Sequence, residues 1–156
     1  MSSPELRPAP APVVDSPSEW VRDHATRYEA SDGADGHDWN GLPCLLVTTK
    51  GRRSGRWVRS VLIYGIDDVT GDVILVASKG GHPSNPLWLE NMVSEPESVY
   101  LQIKGERFWA TARVVEGDER ARMWSAMNAI FPTYDEYQSK AGETGRIIPV
   151  VALSRS

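Results

Sequence analysis

Two apolar runs separated by a short glycine-containing turn restrict the fold of this chain more than any other feature. The runs PCLLVTT and WVRSVLIYGI flank the turn KGRRSG, a pattern typical of an antiparallel hairpin. Four more runs predict strands: VILVAS, SVYLQI, RFWATARVV and IIPVVAL. Because most connections are hairpins and no strand–helix–strand alternation appears, the sequence predicts a mainly β, α+β fold. We expect six antiparallel strands that can close into a small barrel, with helices packed outside.

The remaining segments predict helices and a terminal arm. Ser16, followed by Pro17 and Glu19, has the pattern of a helix start, and this helix should run to about Ala30. A short helix should follow Asn85, and two more are predicted over GDERARMWSAMNAIF and PTYDEYQSKA. Residues 1–15 contain four prolines and predict a disordered or extended arm. Residues 16–156 are long enough for a single domain.

Basic residues are concentrated at the first hairpin. Five of the 17 lysines and arginines lie between positions 50 and 59, and no acid occurs from Trp39 to Ile66. The chain as a whole has a net charge of -4, so this cluster is not a by-product of general basicity, and the acidic remainder disfavours nucleic acid as a partner. Arginines beside glycines are suited to phosphate and carboxylate. The pattern favours a site for a polyanionic ligand; the alternative is a solvated turn that protects a sheet edge.

A second candidate feature is the stretch ASKGG, residues 77–81, at the end of a predicted strand. Small residues let a ligand approach the main chain, and consecutive N–H groups can accept an anion. An ordinary β turn explains the same residues. Aromatic side chains form a third group, either as walls for a flat ligand or as plain core: Tyr64, Trp88, Phe131, Tyr134 and Tyr137.

Other kinds of site are disfavoured. His24, His37 and His82 lack metal-ligand spacing, so no metal is predicted. The single Cys44 lies in an apolar run and is expected to be a buried thiol. No segment approaches the length of a membrane span, and the first residues do not have the layout of a signal peptide. These observations predict a cytoplasmic protein.

Five segments in this order are more specific, taken together, than any one motif: LLVTTKGRRSG, VASKGGHPSNPLW, ARVVEGDERARMW, FPTYDEYQ and IPVVAL. Together, from about Gly41 to Leu153, they resemble the deazaflavin (coenzyme F420)-dependent nitroreductase and quinone reductase family of the split β-barrel superfamily. The resemblance implies a split β-barrel and transfer of hydride from the reduced deazaflavin to a quinone, enone or nitro-aromatic acceptor. That cofactor carries a phosphodiester and a glutamate tail, which would suit the basic turn.

The resemblance also implies roles for individual residues. Those expected to bind the cofactor phosphate and tail are Lys50, Arg52, Arg53, Ser54 and Arg59. Those expected along the ring and its linker are Ala77, Ser78, Lys79, Gly80 and Gly81, with Trp88 beside the pocket. Those expected to act on the substrate are Ser78, Tyr64, Tyr134 and Tyr137. Two positions depart from the better-known nitroreductases, which have proline at Leu62 and tyrosine at Phe131.

Two other functions remain open at this stage. One is a split-barrel oxidoreductase that uses FMN, and the other is a carrier that binds the deazaflavin without turnover. The arginine-rich hairpin favours the longer anionic tail of the deazaflavin. We expect a small, quinone-like acceptor as partner and a monomer or homodimer. A lipid quinone would bring the protein to the inner face of the cell membrane as a peripheral protein, although residues 1–15 do not form an amphipathic pattern.

Overall fold

The computed structural model describes residues 7–156, and within them nine strands form one sheet accompanied by four α-helices. The strands are β1 (Val13–Asp15), β2 (Asp38–Trp39), β3 (Leu42–Lys50), β4 (Trp57–Ile63), β5 (Gly65–Ile66), β6 (Val73–Val76), β7 (Val99–Ile103), β8 (Glu106–Val114) and β9 (Val150–Arg155). The helices are α1 (Glu19–Ala30), α2 (Leu87–Ser94), α3 (Gly117–Ile130) and α4 (Thr133–Gly142). The architecture is therefore mixed α+β.

All six predicted strands are present, but the count of six was too low. The additional strands β1, β2 and β5 have only two or three residues, too few to show an alternating pattern in the sequence. The predicted run WVRSVLIYGI is divided at Tyr64, whose backbone N–H donates to the Pro43 carbonyl at 3.1 Å. The main strands were thus readable from periodicity, and the short ones were not.

The sheet is an open path. Its order is β1-β4-β3-β7-β8-β9-β6-β5, with β2 beside β3, and the end strands β1 and β5 do not pair with each other within residues 7–156. The expected closure of six strands into a barrel is therefore not seen in this hydrogen-bonding pattern. The pairings are antiparallel except for β1, which runs parallel to β4 with Asp15 opposite Arg59. The purely antiparallel expectation is corrected at that edge.

The N-terminal segment contacts the sheet where the structure describes it. Arg7 places its guanidinium carbon 3.5 Å from the centre of the Trp109 ring, and Val13–Asp15 forms β1. The expectation of a disordered or extended arm stays a prediction for residues 7–15. Residues 1–6 lie outside the described part of the chain, so for them, as for the single-domain boundary, the expectation stays a prediction.

Two apolar clusters fill the two sides of the central strands. Ile74 and Leu75 are adjacent in β6 and both fully buried, because successive strand residues face opposite sides. Leu75 packs in the cluster that includes Leu89 and Met92 of α2, and Ile74 packs in the cluster formed with α3 and α4. This arrangement fixes α2 and α4 around the C-terminal end of β6, where the loop with Ser78 begins.

Helix starts differ slightly from the sequence prediction. The first helix begins at Glu19 with Ser18 as N-cap, two residues after the predicted cap, because the Ser16 hydroxyl accepts the Ser18 N–H at 3.2 Å and holds these residues outside the helix.

No helix within residues 7–156 combines the length and the apolar character needed to cross a bilayer.

Candidate active site

A cavity of about 430 Å³ lies where α1, the end of β4, the loop after β6, α2 and α4 meet. Its volume falls in the range of small-molecule sites, roughly 300–1,000 Å³. Six aromatic side chains line it: Trp20, Trp39, Trp88, Phe131, Tyr134 and Tyr137. Leu62 and Phe131, the two positions that depart from the better-known nitroreductases, also border it.

The aromatic side chains form two groups. Phe131 meets Tyr134 edge to face with ring centres 5.1 Å apart, and Tyr137 lies 6.5 Å from Tyr134. Trp20 and Trp39 form the second group, with ring centres 5.9 Å apart. Edge-to-face packing of this kind fixes ring orientation. The cavity therefore presents rigid apolar walls suited to a flat conjugated ligand.

Sequence reasoning missed the second aromatic group. Trp20, His24 and Tyr28 follow one another at four-residue spacing, which is typical of a helix face packed against the core, and His24 and Tyr28 are indeed buried. Trp20 instead remains 58% exposed and borders the cavity. Trp39 comes from β2, a two-residue strand with no sequence signal.

The loop after β6 brings main chain to the cavity in a left-handed conformation. Lys79, Gly80 and Gly81 have φ values of 46°, 61° and 79°. Ser78, Lys79 and Gly80 line the cavity. A Cβ atom added to Gly80 would meet no protein atom within 4 Å, so the space beside this residue is open to a ligand. Part of the predicted stretch therefore borders the cavity, and its role in ligand binding stays a prediction.

The other two residues of this stretch lie behind the cavity wall. Ala77 is fully buried. Gly81 packs against α4 so closely that a Cβ atom there would lie 2.7 Å from the Tyr137 carbonyl oxygen. Arg146, which sequence reasoning did not single out, donates hydrogen bonds to the carbonyls of Ser78 and His82. Ala77 and Gly81 therefore support the site without lining it.

Arg59 does not face the cavity. Its guanidinium donates to both carboxylate oxygens of Asp15, at 2.7 and 3.0 Å, and to Glu29. The side chain is only 11% exposed. Although no acid lies near Arg59 in the sequence, β1 and α1 supply two in space. We therefore assign Arg59 to the attachment of these elements rather than to a ligand.

The remaining basic residues of the hairpin contact α2. Arg52 forms an ion pair with Glu90 at 3.1 Å, and its backbone N–H donates to Asn91. Lys50 lies 3.8 Å from Glu95. The acid-free stretch of sequence is thus partly neutralised by the helix packed beside it.

Arg53 and Ser54 lie at the exposed tip of the hairpin, where the Ser54 hydroxyl accepts the Arg56 N–H at 3.2 Å. Neither borders the cavity. Trp88 lines the cavity only two positions before Glu90, so α2 contacts the cavity and the basic turn. The cavity and the basic turn therefore both adjoin α2.

The predicted tyrosines occupy different environments. Tyr64 is 9% exposed, lies outside the cavity lining, and shares a 2.9 Å hydrogen bond between its hydroxyl and His37 Nε2. Tyr134 lines the cavity at 4% exposure, and burial raises its pKa well above the ordinary value. Tyr137 lines the cavity as well. Two of the three phenols can therefore reach a ligand, and Tyr64 cannot do so directly.

No other reactive group dominates the cavity. Cys44 borders it, but burial raises the pKa of this thiol to about 11, so it is protonated at neutral pH. Within residues 7–156, no group of three or more histidine, cysteine, aspartate or glutamate side chains is placed to hold a metal ion. The polar groups of the lining are two phenols, the Ser78 hydroxyl, the Lys79 ammonium and the His24 imidazole, whose Nε2 is hydrogen-bonded to the Gly36 carbonyl at 2.7 Å.

A nine-stranded sheet in an α+β fold, with an aromatic cavity beside a lysine-bearing left-handed loop, is an arrangement suited to a flat ligand with a negatively charged portion. Comparison with known proteins narrows this class. The chain belongs to the F420H(2)-dependent quinone reductase family, whose model matches residues 20–155.

One curated relative is an F420H(2)-dependent quinone reductase of Mycobacterium tuberculosis strain H37Rv, 36% identical over 140 residues that cover 86% of this chain and 89% of the relative. Among solved structures, an F420-H2 dependent reductase aligns with a TM-score of 0.63 at 36% identity, covering 72% of this chain and 94% of that one. A domain-swapped dimer aligns with a TM-score of 0.66 at 35% identity, covering 89% and 100%.

Proposed function

We propose that this protein is an oxidoreductase that transfers a hydride from reduced coenzyme F420 to a quinone, enone or nitro-aromatic acceptor. We further propose that residues 16–156 form a single domain of the split β-barrel type. The observation that carries the proposal is the aromatic cavity of about 430 Å³ with an open left-handed loop at Lys79 and Gly80, in a chain that belongs to this family.

The residues present fit the deazaflavin. Flat aromatic walls suit its ring, and the empty space beside Gly80 lets a ring lie close to the main chain. The ammonium of Lys79 supplies positive charge at the cavity edge. Beyond α2, Arg53 and Arg56 extend that charge along the basic turn and suit an anionic tail. FMN lacks this longer tail and uses less of the positive surface.

When bound, the reduced deazaflavin supplies the hydride. The side chains then have to hold the acceptor and stabilise the negative charge that develops on its oxygen. Ser78 lines the loop side of the cavity and would donate a hydrogen bond to that oxygen. Tyr134 lines the cavity from α4 and would donate a second one; because burial raises its pKa, the phenol keeps its proton through neutral and moderately alkaline pH. Phe131 and Trp88 exclude water from the reacting atoms.

The proposal is tested by mixing the purified protein with menadione and either reduced deazaflavin or reduced FMN, and by following oxidation of each cofactor spectroscopically. Oxidation with the deazaflavin alone supports the proposal. Oxidation with FMN alone would support the flavin alternative. Tight deazaflavin binding by calorimetry without oxidation of the cofactor by any acceptor would identify a carrier.

A pair of lysine variants tests the site itself. Lys79 and Lys104 are both non-glycine residues in the left-handed region, with φ values of 46° and 54°, but only Lys79 lines the cavity. Lys79→Ala should weaken deazaflavin binding by about tenfold, the loss expected for one charged contact. Lys104→Ala controls for backbone effects and should leave the affinity unchanged. Equal affinities in both variants would contradict the site.

The identity of the hydride acceptor determines which small molecule the protein binds and whether the protein works at a membrane. We propose a small, quinone-like acceptor and either a monomer or a homodimer; the aligned domain-swapped dimer makes sedimentation of the purified protein an informative measurement. Peripheral contact with the cell membrane stays a prediction. Co-sedimentation with quinone-containing vesicles, compared with vesicles without quinone, tests it.

A further inference from the structure

We propose that Arg146 is a positioning residue: it holds the loop of residues 77–85 against the segment that follows α4 and so sets the positions of Ser78 and Lys79 in the cavity. The inference rests on the proposed function, because it concerns the same cavity. No sequence motif points to it.

The Arg146 guanidinium donates to four oxygens of the loop. Nη1 donates to the Ser78 carbonyl at 3.0 Å and to the His82 carbonyl at 2.6 Å, Nε donates to Asn85 Oδ1 at 2.9 Å, and Nη2 donates to the Ala77 carbonyl. Two of these acceptors precede the left-handed run that starts at Lys79, and two follow it. One side chain therefore ties together both ends of the segment that lines the cavity.

This loop needs such an anchor. A residue with a Cβ atom in the left-handed region is disfavoured relative to the right-handed region, and Lys79 has φ 46°. Within the loop, the hydrogen bonds that oppose relaxation include Gly81 N–H to the Ser78 carbonyl at 2.9 Å and His82 N–H to the Lys79 carbonyl at 3.1 Å. The Arg146 bonds close the same loop from outside, so their loss should let Lys79 relax.

Arg146 is itself fixed by α4. Its backbone N–H donates to the Ala141 carbonyl at 3.1 Å, and its carbonyl accepts from Gln138 Nε2 at 3.0 Å. The Oε1 atom of Gln138 accepts the Ile148 N–H at 2.8 Å. The helix that carries Tyr134 and Tyr137 is thus joined to the loop that carries Ser78 through Arg146. A shift of α4 should therefore also shift the loop that carries Ser78.

The charge of Arg146 adds a second effect. All four loop acceptors are uncharged oxygens, and burial lowers the pKa of the guanidinium, although an arginine so placed remains protonated. Its positive charge therefore stands beside the Ser78 carbonyl without a carboxylate on the loop to cancel it. An anionic ligand portion, or negative charge developing on an acceptor oxygen, is stabilised by that field.

The test compares Arg146→Ala and Arg146→Lys with Arg122→Ala. Arg122 serves as the control because its guanidinium is likewise hydrogen-bonded within the fold, by two bonds of 3.0 and 2.9 Å to Asp67, and lies outside the cavity lining. Deazaflavin affinity is measured by calorimetry, kcat and KM by cofactor oxidation, and stability by thermal unfolding. We expect Arg146→Ala to weaken binding by about tenfold or more and to lower kcat. Arg122→Ala should lower only the unfolding temperature.

Arg146→Lys should not restore binding, because one ammonium cannot reach acceptors on both sides of the loop. If Arg146→Ala does not fold, Asn85→Ala removes one of the four acceptors and should raise KM for the deazaflavin without lowering the unfolding temperature as far as Arg122→Ala does. Wild-type affinity and kcat in a folded Arg146→Ala, or equal losses in Arg146→Ala and Arg122→Ala, would overturn the inference. Failure of the wild-type protein to bind deazaflavin would instead refute the proposed function.

Discussion

Replacing Arg59 with alanine should destabilise the fold and leave cofactor affinity unchanged. Its position in the basic hairpin suggested a phosphate contact, but in the structure its guanidinium is engaged by Asp15 and Glu29. These two acids belong to β1 and α1. The variant therefore removes a link between the hairpin and the two N-terminal elements, not a ligand contact.

The expected loss is about 2–3 kcal/mol of unfolding free energy. An exposed ion pair contributes roughly 0–1 kcal/mol, whereas breaking a buried pair costs about 3–5 kcal/mol. Arg59 and Asp15 are 11% and 19% exposed, and Glu29 is 55% exposed. The Arg59–Asp15 pair is held by two hydrogen bonds, and its burial lies between those of the exposed and the buried case. This pair therefore supplies most of the expected loss of unfolding free energy. For a chain of this size the loss corresponds to a fall in unfolding temperature of roughly 4–12 °C.

Urea unfolding followed by circular dichroism measures the loss, and calorimetry with the deazaflavin measures affinity. Asp15→Ala and the double variant complete a cycle whose coupling energy should be about 1–2 kcal/mol. Arg53→Ala, at the exposed tip of the same hairpin, controls for charge and should cost less than about 0.5 kcal/mol. A structural role for Arg59 would be refuted if Arg59→Ala were as stable as Arg53→Ala, or if it retained its stability and lost cofactor binding.

Three further predictions concern the cavity and the frame around it. Tyr134→Phe should lower kcat by about tenfold to a hundredfold with little change in deazaflavin affinity, since it removes a hydrogen-bond donor but keeps the ring; an unchanged kcat would show that the phenol does not stabilise the acceptor oxygen. Gly81→Ala should reduce both activity and stability, because the added Cβ would lie 2.7 Å from a carbonyl oxygen of α4. Gly71→Ala, at the same φ of 79° but in open space, should cost only about 1–2 kcal/mol of strain; similar activities in the two variants would show that the contact is unimportant. Hydrogen bonds from Arg122 hold the pKa of the Asp67 carboxyl well below its usual range, so this group stabilises the fold above its unfolded pKa of about 3.9. Unfolding free energy should therefore fall as pH drops below about 4, and Asp67→Asn should flatten that fall.

Much of the fold was readable from the sequence, because long alternating strands and long amphipathic helices leave a periodic pattern. The six main strands and the helices α1, α2, α3 and α4 were predicted near their observed places. Strands as short as β2 and β5 have no such pattern, since two residues cannot alternate. Parallel pairing of β1 with β4 was not predictable either, because its register depends on contacts between distant parts of the chain.

The sequence by itself determined the family, the strand-rich fold and the small-residue loop at Ser78–Gly81, since these are written in local order and composition. Only the tertiary structure decided how the charged and aromatic residues are used. It paired Arg59 with Asp15, placed Tyr64 beside His37 outside the cavity, and brought Trp20 and Arg146 to the site. The physical reason is that electrostatic and packing energies depend on distance in space, and residues far apart in the chain become nearest neighbours only when the sheet assembles.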